Sequence, residues 1–141
     1  MNGLNLIITD KTEAYVVEMT KDDMVLQADD GRGILYRSNH YHSDKLSHLN
    51  PDPNDYCSTY RRSERIAELL EERYGKLRFQ DLFRIMSDHE HGVYGICRHP
   101  HEHAPGRTVS SSMFVIEDFE AWTVLGNPCE QLPHVTLRNG K

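Results

Sequence analysis

Short apolar runs separated by turn-forming residues fill the first forty positions of the chain. The runs are LNLIITD, AYVVEM, MVLQA and ILYRSN, and the breaks between them are rich in Asp, Lys, Thr and Gly. Short runs with many β-branched residues, broken by polar and glycine-containing segments, are typical of strands joined by hairpin turns. The pattern therefore predicts a meander of four β-strands.

The pattern changes to a helical period after a proline-containing loop at residues 43–60. Apolar residues at spacings of three and four lie on one face of a helix, and they predict helices at about 62–74 and 79–88. Gly75 is suited to end the first helix in a left-handed conformation, and Asp81 lies near the positive end of the second. We expect the two helices to pack as an antiparallel pair. The residues that carry the pattern are Ile66, Leu69, Leu70 and Tyr74, followed by Phe79, Leu82, Phe83 and Met86.

Strand-like runs return after the second predicted helix. They are VYGIC, TVSSSMFVIED and AWTVLG, and the tail NPCEQLPHVTLRNGK reads as mostly irregular. Four strands, two helices and three further strands predict an α+β fold with the helix pair on one face of an antiparallel sheet. A chain of 141 residues is long enough for one core, so residues 1–141 are predicted to form a single domain.

Composition and charge exclude several classes of function. A formal net charge of -6 argues against nucleic-acid binding, which normally requires a basic surface. No apolar run approaches the roughly 20 residues that span a bilayer, so no membrane partner is expected. The three cysteines are widely spaced and form no CxxC pair. This spacing argues against a disulfide framework and predicts a reducing compartment, the cytoplasm.

Histidines two residues apart are the first candidate chemistry, in YRSNHYH, SDHEHG and RHPHEHAP. Side chains at this spacing in a strand point to the same side, so a zinc or nickel site assembled from two of these segments is one alternative. Against it, no cysteine or carboxylate lies at a recognised ligand spacing. Solvated loop histidines are the favoured interpretation, and we predict no dedicated metal site and no cofactor.

The cysteines and a cluster of arginines are the other candidates. A nucleophilic cysteine needs a nearby base, and neither Cys97 nor Cys129 has a convincing one in sequence, so both are predicted to be buried and structural. Cys57 lies in a predicted loop and is uninformative. The segment STYRRSERIAELL places several arginines at a helix start, where the macrodipole disfavours them. Either this is a solvated helix start or one arginine has an anionic partner.

Five segments in order carry a family resemblance: SNHY, SDH, ICRHP, TVSSSMFVIED and GNPCE. Together with their spacers they resemble the carboxyl-terminal part of the acyl-coenzyme A:6-aminopenicillanic acid acyltransferase-like family. These proteins are N-terminal-nucleophile (Ntn) hydrolases, related to penicillin V acylase and choloylglycine hydrolase. The resemblance extends from about residue 4 to residue 131. It implies that the fold is a portion of the αββα sandwich of that superfamily.

The resemblance also implies roles for individual residues. Asn39 resembles the asparagine whose side-chain amide helps to form the oxyanion hole, where it stabilises the charge of a tetrahedral intermediate. Arg62 best matches the active-site arginine of related hydrolases, with an electrostatic role, and Arg61 is the alternative if the alignment shifts by one residue. His40 fits the family pattern without an implied catalytic role. The implied activity is amide hydrolysis or acyl transfer on small acyl amides or acyl thioesters, through a cysteine thioester.

The sequence departs from the family at the nucleophile. In these enzymes a cysteine freed by autoproteolysis becomes the first residue, and its own α-amine activates the thiol. This sequence begins MNGLNLIITD, and its first cysteine is Cys57. Three explanations stay open: a fragment of a longer enzyme, one product of a split gene, or a degenerate relative. We expect the isolated chain to be inactive.

Loss of the upstream half should also leave strand edges and apolar sheet surface uncovered. We expect AYVVEM and TVSSSMFVIED to be exposed, and the chain to self-associate or to bind the missing amino-terminal half. The alternative from another class is a non-catalytic scaffold or interaction domain, with a histidine-bound metal as an option.

Overall fold

The computed structural model describes residues 4–29, 31–55 and 57–138, with Cys57 described by its backbone alone. The chain divides into two compact units, Met1–Ala67 and Glu68–Lys141. Each unit contains one antiparallel three-stranded sheet. The helices lie between the two sheets in the sequence. The predicted α+β class is therefore confirmed, whereas the single domain, the helix pairing and the sandwich arrangement stay predictions.

The sheet of the first unit consists of β1 (Leu4–Thr9), β2 (Ala14–Met19) and β3 (Met24–Ala28), in the order β1-β2-β3. Its two faces differ in chemistry. The register places Leu6, Val17 and Leu26 side by side, on a face that carries only apolar side chains and Tyr15. The opposite face carries Asn5 and Glu18, which are paired neighbours. That second face supports the candidate site.

The predicted exposure of AYVVEM is wrong. This segment is the central strand β2, in which Val16, Val17 and Glu18 are buried. The uncovered apolar surface belongs to the neighbouring strands β1 and β3 instead. A central strand is shielded on both sides by its partners, whereas edge strands are not.

The predicted fourth strand, ILYRSN, is also wrong. Residues 34–42 are irregular because side chains, and not a neighbouring strand, satisfy their backbone groups. Nδ2 of Asn5 donates 2.9 Å hydrogen bonds to the carbonyl oxygens of both Ser38 and His40. Oγ1 of Thr59 accepts a hydrogen bond from the backbone N–H of Asn39 at 2.8 Å. We call residues 37–43 the site loop.

The helices are α1 (Asp44–Ser47), α2 (Cys57–Glu72) and α3 (Phe79–Met86), followed by a 3₁₀ turn at Gly92–Tyr94. The two predicted helices are confirmed, although α2 begins earlier than its apolar stripe indicated. Gly75 has the predicted left-handed conformation, with φ of 68°. Oδ2 of Asp81 accepts a hydrogen bond from the backbone N–H of Arg78 at 3.1 Å, which caps the start of α3. None of the described helices is long and apolar enough to cross a bilayer.

The second unit contains the sheet β4 (Ser110–Val115), β5 (Glu120–Leu125) and β6 (His134–Leu137), in the order β4-β5-β6. Phe79 of α3 packs on this sheet with its ring centroid 5.1 Å from that of Trp122. The predicted strand VYGIC is wrong, because these residues form the 3₁₀ turn and an irregular segment. The described part of the tail is mostly irregular, as predicted, and contributes the short strand β6, in which His134 pairs with Thr123 of β5.

Candidate functional site

Asn39 and Arg62, the two residues predicted from the family resemblance, are in direct contact. Nη2 of Arg62 donates a hydrogen bond of 2.7 Å to Oδ1 of Asn39. Asn39 belongs to the site loop and is exposed, while Arg62 lies in the second turn of α2 and is half-buried. Nε of Arg62 lies 3.4 Å from Oγ of Ser58, one turn earlier. The helix therefore holds the guanidinium in place beside the amide.

This contact determines which way the amide of Asn39 faces. A guanidinium carries only hydrogen-bond donors, so the group facing it must be the amide oxygen. The Nδ2 group is left without a partner among the described residues and points away from Arg62. A neutral N–H donor with a fixed direction is what an oxyanion hole requires.

Thr59 connects the site loop to the first turns of α2. It is fully buried, and its Oγ1 lies within hydrogen-bond distance of the backbone nitrogen of Asn39 (2.8 Å), Oγ of Ser38 (2.9 Å) and Nδ1 of His40 (3.0 Å). One hydroxyl thus fixes three successive residues of the loop. The position of Asn39 is set by this connection as much as by its own side chain.

A buried carboxylate holds the other end of the site loop against the sheet. Glu18 of β2 is fully buried. Its Oε1 accepts hydrogen bonds from Nε of Arg37 at 2.9 Å and from the backbone N–H of His42 at 2.8 Å, and its Oε2 accepts one from Ser43 at 2.9 Å. Burial by itself raises the pKa of Glu18, but these donors outweigh burial and leave the pKa below its ordinary value. The carboxylate is therefore ionised and anchors the loop.

His40 is a buried residue of the site loop, and its role is structural. Its ring lies 4.4 Å from that of Tyr60 and 4.7 Å from that of His42, measured between centroids. Burial, followed by the charge of His42, lowers the pKa of His40 to about 4. The imidazole is therefore neutral at pH 7. Its Nδ1 is occupied by the hydroxyl groups of Ser38 and Thr59, so it supports the loop beside Asn39.

A second cluster lies in the other unit and combines two histidines with two cysteines. Ligand atoms of His89, Cys97, His99 and Cys129 all lie within 4.8 Å of one another. Nε2 of His89 lies 3.2 Å from Nε2 of His99, and Sγ of Cys97 lies 3.6 Å from Sγ of Cys129. We call this set the His₂Cys₂ cluster.

The cysteines of this cluster differ in part from the prediction. Cys97 is buried as expected, but Cys129 is exposed, so the prediction of a buried structural residue is wrong for Cys129. The left-handed Gly126, with φ of 86°, turns the chain after β5 and places Cys129 at the surface. Partial desolvation of the sulfur by its neighbours, followed by the contact with Cys97, raises the pKa of the Cys129 thiol to about 11. A protonated thiol is a poor nucleophile.

The sequence matches a known protein family. The model of the acyl-coenzyme A:6-aminopenicillanic acid acyl-transferase family matches residues 1–130. The class of protein is therefore acyltransferase-like, as the resemblance implied. The chain belongs to the acyl-coenzyme A:6-aminopenicillanic acid acyl-transferase family. Among curated proteins, none matches it significantly.

Sequence reasoning missed Thr59, Glu18 and the His₂Cys₂ cluster. Thr59 and Glu18 lie in segments that read as an ordinary loop and an ordinary strand, and nothing in their spacing marks them. The cluster was missed because its ligands follow no standard spacing, with His89 and Cys129 forty positions apart. The one available signal was the idea that two histidine-containing segments combine, since His89 and His99 come from different segments.

Proposed function

We propose that the first unit supplies the oxyanion donor and an electrostatic group to an active site for amide hydrolysis or acyl transfer on small acyl substrates. The observation that carries the proposal is the hydrogen bond of 2.7 Å from Arg62 to Oδ1 of Asn39. It supports a catalytic role because it occupies the amide oxygen and leaves Nδ2 of Asn39, an exposed residue, available to donate to a substrate. Membership of the acyltransferase family supplies the reaction class.

In the proposed reaction a cysteine thiolate attacks the carbonyl carbon of an acyl amide or acyl thioester. The carbonyl π electrons move to oxygen, and Nδ2 of Asn39 donates a hydrogen bond to this oxyanion. Collapse of the intermediate re-forms the carbonyl and breaks the bond to the amine or thiol, which leaves with the proton that the nucleophile released. Water or an acceptor amine then attacks the thioester, and the cysteine thiol is regenerated.

Arg62 contributes in two ways to this proposal. Its guanidinium is permanently charged, so it adds positive potential where negative charge develops. It also holds the amide of Asn39 in the productive orientation. His40, neutral and buried, supports the loop and takes no proton in the reaction.

The nucleophile in this proposal comes from a separate polypeptide segment. In the family the nucleophilic thiol is activated by the α-amine of its own residue, and Cys57, Cys97 and Cys129 are not at the first position of this sequence. The apolar face of the first sheet offers a binding surface for such a segment, because five of its side chains are 38–64% exposed. An apolar surface of this kind usually marks a binding site. The exposed members are Leu4, Leu6, Ile8, Met24 and Leu26.

The test compares the chain alone with the chain assembled with a nucleophile-bearing segment of the family. Both are assayed with penicillin V, N-acyl amino acids and acyl-coenzyme A, against a heat-killed control. We expect turnover by the assembly and none by the chain alone. In the assembly, Asn39→Ala should lower kcat by on the order of 10²–10³ with little change in KM.

Asn54→Ala is the matched control, since Asn54 is an exposed asparagine of the same unit and should leave kcat unchanged. Turnover by the chain alone, or full activity of the Asn39→Ala assembly, would overturn the proposal. Binding of the segment without any turnover would favour the second candidate, a non-catalytic interaction domain. The uncovered apolar face is the observation that supports that candidate.

A further inference from the structure

We propose that the second unit binds one Zn²⁺ ion through the four side chains of the His₂Cys₂ cluster: His89, Cys97, His99 and Cys129. The inference does not depend on the proposed function, because it concerns residues of the other unit. It assigns a structural role to residues that the acyl-transfer chemistry leaves unused.

Three of the six ligand–ligand distances in the cluster are within about 0.4 Å of those of a tetrahedral zinc site, and all six are within 4.8 Å. Zinc bonds of about 2.3 Å to sulfur and about 2.1 Å to nitrogen separate two sulfur ligands by about 3.8 Å, two nitrogen ligands by about 3.4 Å and a mixed pair by about 3.6 Å. The two sulfur atoms here are 3.6 Å apart, the two Nε2 atoms 3.2 Å, and Nε2 of His99 lies 3.2 Å from Sγ of Cys129.

Neighbouring groups orient the ligands as they do in known metal sites. Oε1 of Glu130 lies 3.5 Å from Nδ1 of His99, so it favours the tautomer with the proton on Nδ1 and the lone pair of Nε2 toward the cluster. Nδ2 of Asn127 lies 3.4 Å from Sγ of Cys97 and donates a 2.7 Å hydrogen bond to the carbonyl oxygen of Arg98. A carboxylate behind a ligating histidine and an N–H donor to a thiolate are typical outer-shell partners.

The ligand types select the metal. Two thiolates and two imidazoles suit zinc, whereas magnesium and calcium require oxygen ligands. Four protein ligands close the tetrahedron and leave no position for substrate, which is the pattern of a structural site. Binding requires both thiols to release their protons to solvent, and the resulting centre of two thiolates and one Zn²⁺ has no net charge.

The ion would join three segments that are separate in sequence. His89 lies in the turn after α3, Cys97 and His99 lie in the irregular segment after the 3₁₀ turn, and Cys129 lies in the turn after β5. The backbone already brings the first two together, because the N–H of Cys97 donates to the carbonyl oxygen of Asp88 at 2.9 Å. Zinc would hold the third segment against them.

The alternative to zinc binding by these residues is a disulfide bond between Cys97 and Cys129. A disulfide needs the sulfur atoms about 2.05 Å apart, and here they are 3.6 Å apart. A disulfide also gives no reason for two imidazoles to point their Nε2 atoms at each other and at a sulfur atom. The 3.2 Å approach of the two ring nitrogens fits either one N–H···N hydrogen bond or two ligands of one cation, and the measurement of bound zinc distinguishes these.

The test uses the full chain, purified without a polyhistidine tag under reducing conditions. Zinc is measured by mass spectrometry of the metal after gel filtration, and affinity by competition with a chromophoric chelator. We expect about one zinc ion per chain. Replacement by Co²⁺ should give a thiolate-to-cobalt charge-transfer band and the intense visible bands of a tetrahedral site.

Two substitutions should remove the zinc, and two controls should retain it. Cys129→Ser and His89→Ala each remove one ligand, and Cys129 is exposed, so its replacement should leave the rest of the fold intact. Cys57→Ser is the control for loss of a thiol, and the double variant His101→Ala, His103→Ala is the control for loss of exposed imidazoles. The wild-type chain and both controls should gain thermal stability on addition of Zn²⁺, whereas Cys129→Ser should not.

Three results would overturn the proposal. They are zinc retained equally by Cys129→Ser and His89→Ala, zinc lost only in the His101→Ala, His103→Ala variant, and a Cys97–Cys129 disulfide with no bound metal in the freshly purified chain. These measurements are independent of the proposed acyl transfer, because none of them uses enzymatic activity as its readout.

Discussion

Nη2 of Arg62 donates a 2.7 Å hydrogen bond to Oδ1 of Asn39, across 23 positions of sequence. The contact joins the site loop to the second turn of α2. It gives the side chain of Asn39 one orientation, because the oxygen must face the guanidinium.

Replacement of Arg62 should impair catalysis by releasing the amide of Asn39. In the assembly that turns over acyl substrates, we expect Arg62→Gln to lower kcat/KM by on the order of 10- to 100-fold, as misplaced catalytic groups do. Arg61→Gln is the matched control and should have little effect, because the described partner of Asn39 is Arg62. A larger loss in Arg61→Gln than in Arg62→Gln would assign the role to Arg61. The measurement is steady-state kinetics, with circular dichroism to show that both variants are folded.

Replacement of Glu18 should destabilise the first unit. Glu18→Gln removes the charge that balances Arg37 and weakens the hydrogen bonds to the backbone of His42 and Ser43. Breaking a buried ion pair on one side lowers the free energy of unfolding by about 3 kcal/mol. Urea unfolding followed by circular dichroism measures this change. Glu64→Gln, at an exposed position of α2, should change the free energy little, and an equal effect of the two substitutions would contradict the anchoring role.

Acid should destabilise the site loop through His40. Folding lowers the pKa of His40 from 6.5 to about 4. Between these two pH values the imidazole is protonated in the unfolded chain and neutral in the folded protein. Stability should be fully present above about pH 6.5 and fall by about 3 kcal/mol as the pH drops toward 4. The charges that act on this imidazole belong to His42, Glu18, Arg37 and Arg62.

The measurement for this prediction is the urea midpoint at pH 7.5, 6.0 and 5.0, above the range in which Glu18 gains a proton. His40→Gln should reduce the dependence on pH, and the part that stays is due to His42, whose pKa burial also lowers. His48→Gln, which replaces an exposed histidine of the same unit, should keep the wild-type slope. A midpoint that does not move between pH 7.5 and pH 5.0 would show that His40 is not held neutral by the fold.

Removal of the Thr59 hydroxyl should loosen the site loop. Thr59→Val keeps the shape of the side chain but leaves the backbone N–H of Asn39 without its acceptor. Loss of the acceptor for this partly buried donor lowers the free energy of unfolding by about 1 kcal/mol, and the amide of Asn39 should exchange faster with deuterium. Thr136→Val, at an exposed position of β6, should lower stability by less than about 0.5 kcal/mol. Unchanged exchange at Asn39 would argue that other contacts hold the loop.

The sequence by itself determined the class of the fold, most of its elements and the two residues of the candidate acyl-transfer site. Hydrophobic periodicity is a local property, so β1, β2, β3, α2, α3, β4 and β5 are all visible in it. Asn39 and Arg62 were found through the family segments that contain them, and not through their spacing.

Only the tertiary structure decided which groups meet. ILYRSN has the composition of a strand, but Asn5 and Thr59 take its backbone groups from two different places in the chain. The tail reads as irregular alone and becomes β6 because β5 offers it an edge. Likewise Cys97 and Cys129 look isolated at 32 positions apart, and their sulfur atoms meet at 3.6 Å. Such contacts depend on the path of the whole chain, which no local pattern encodes.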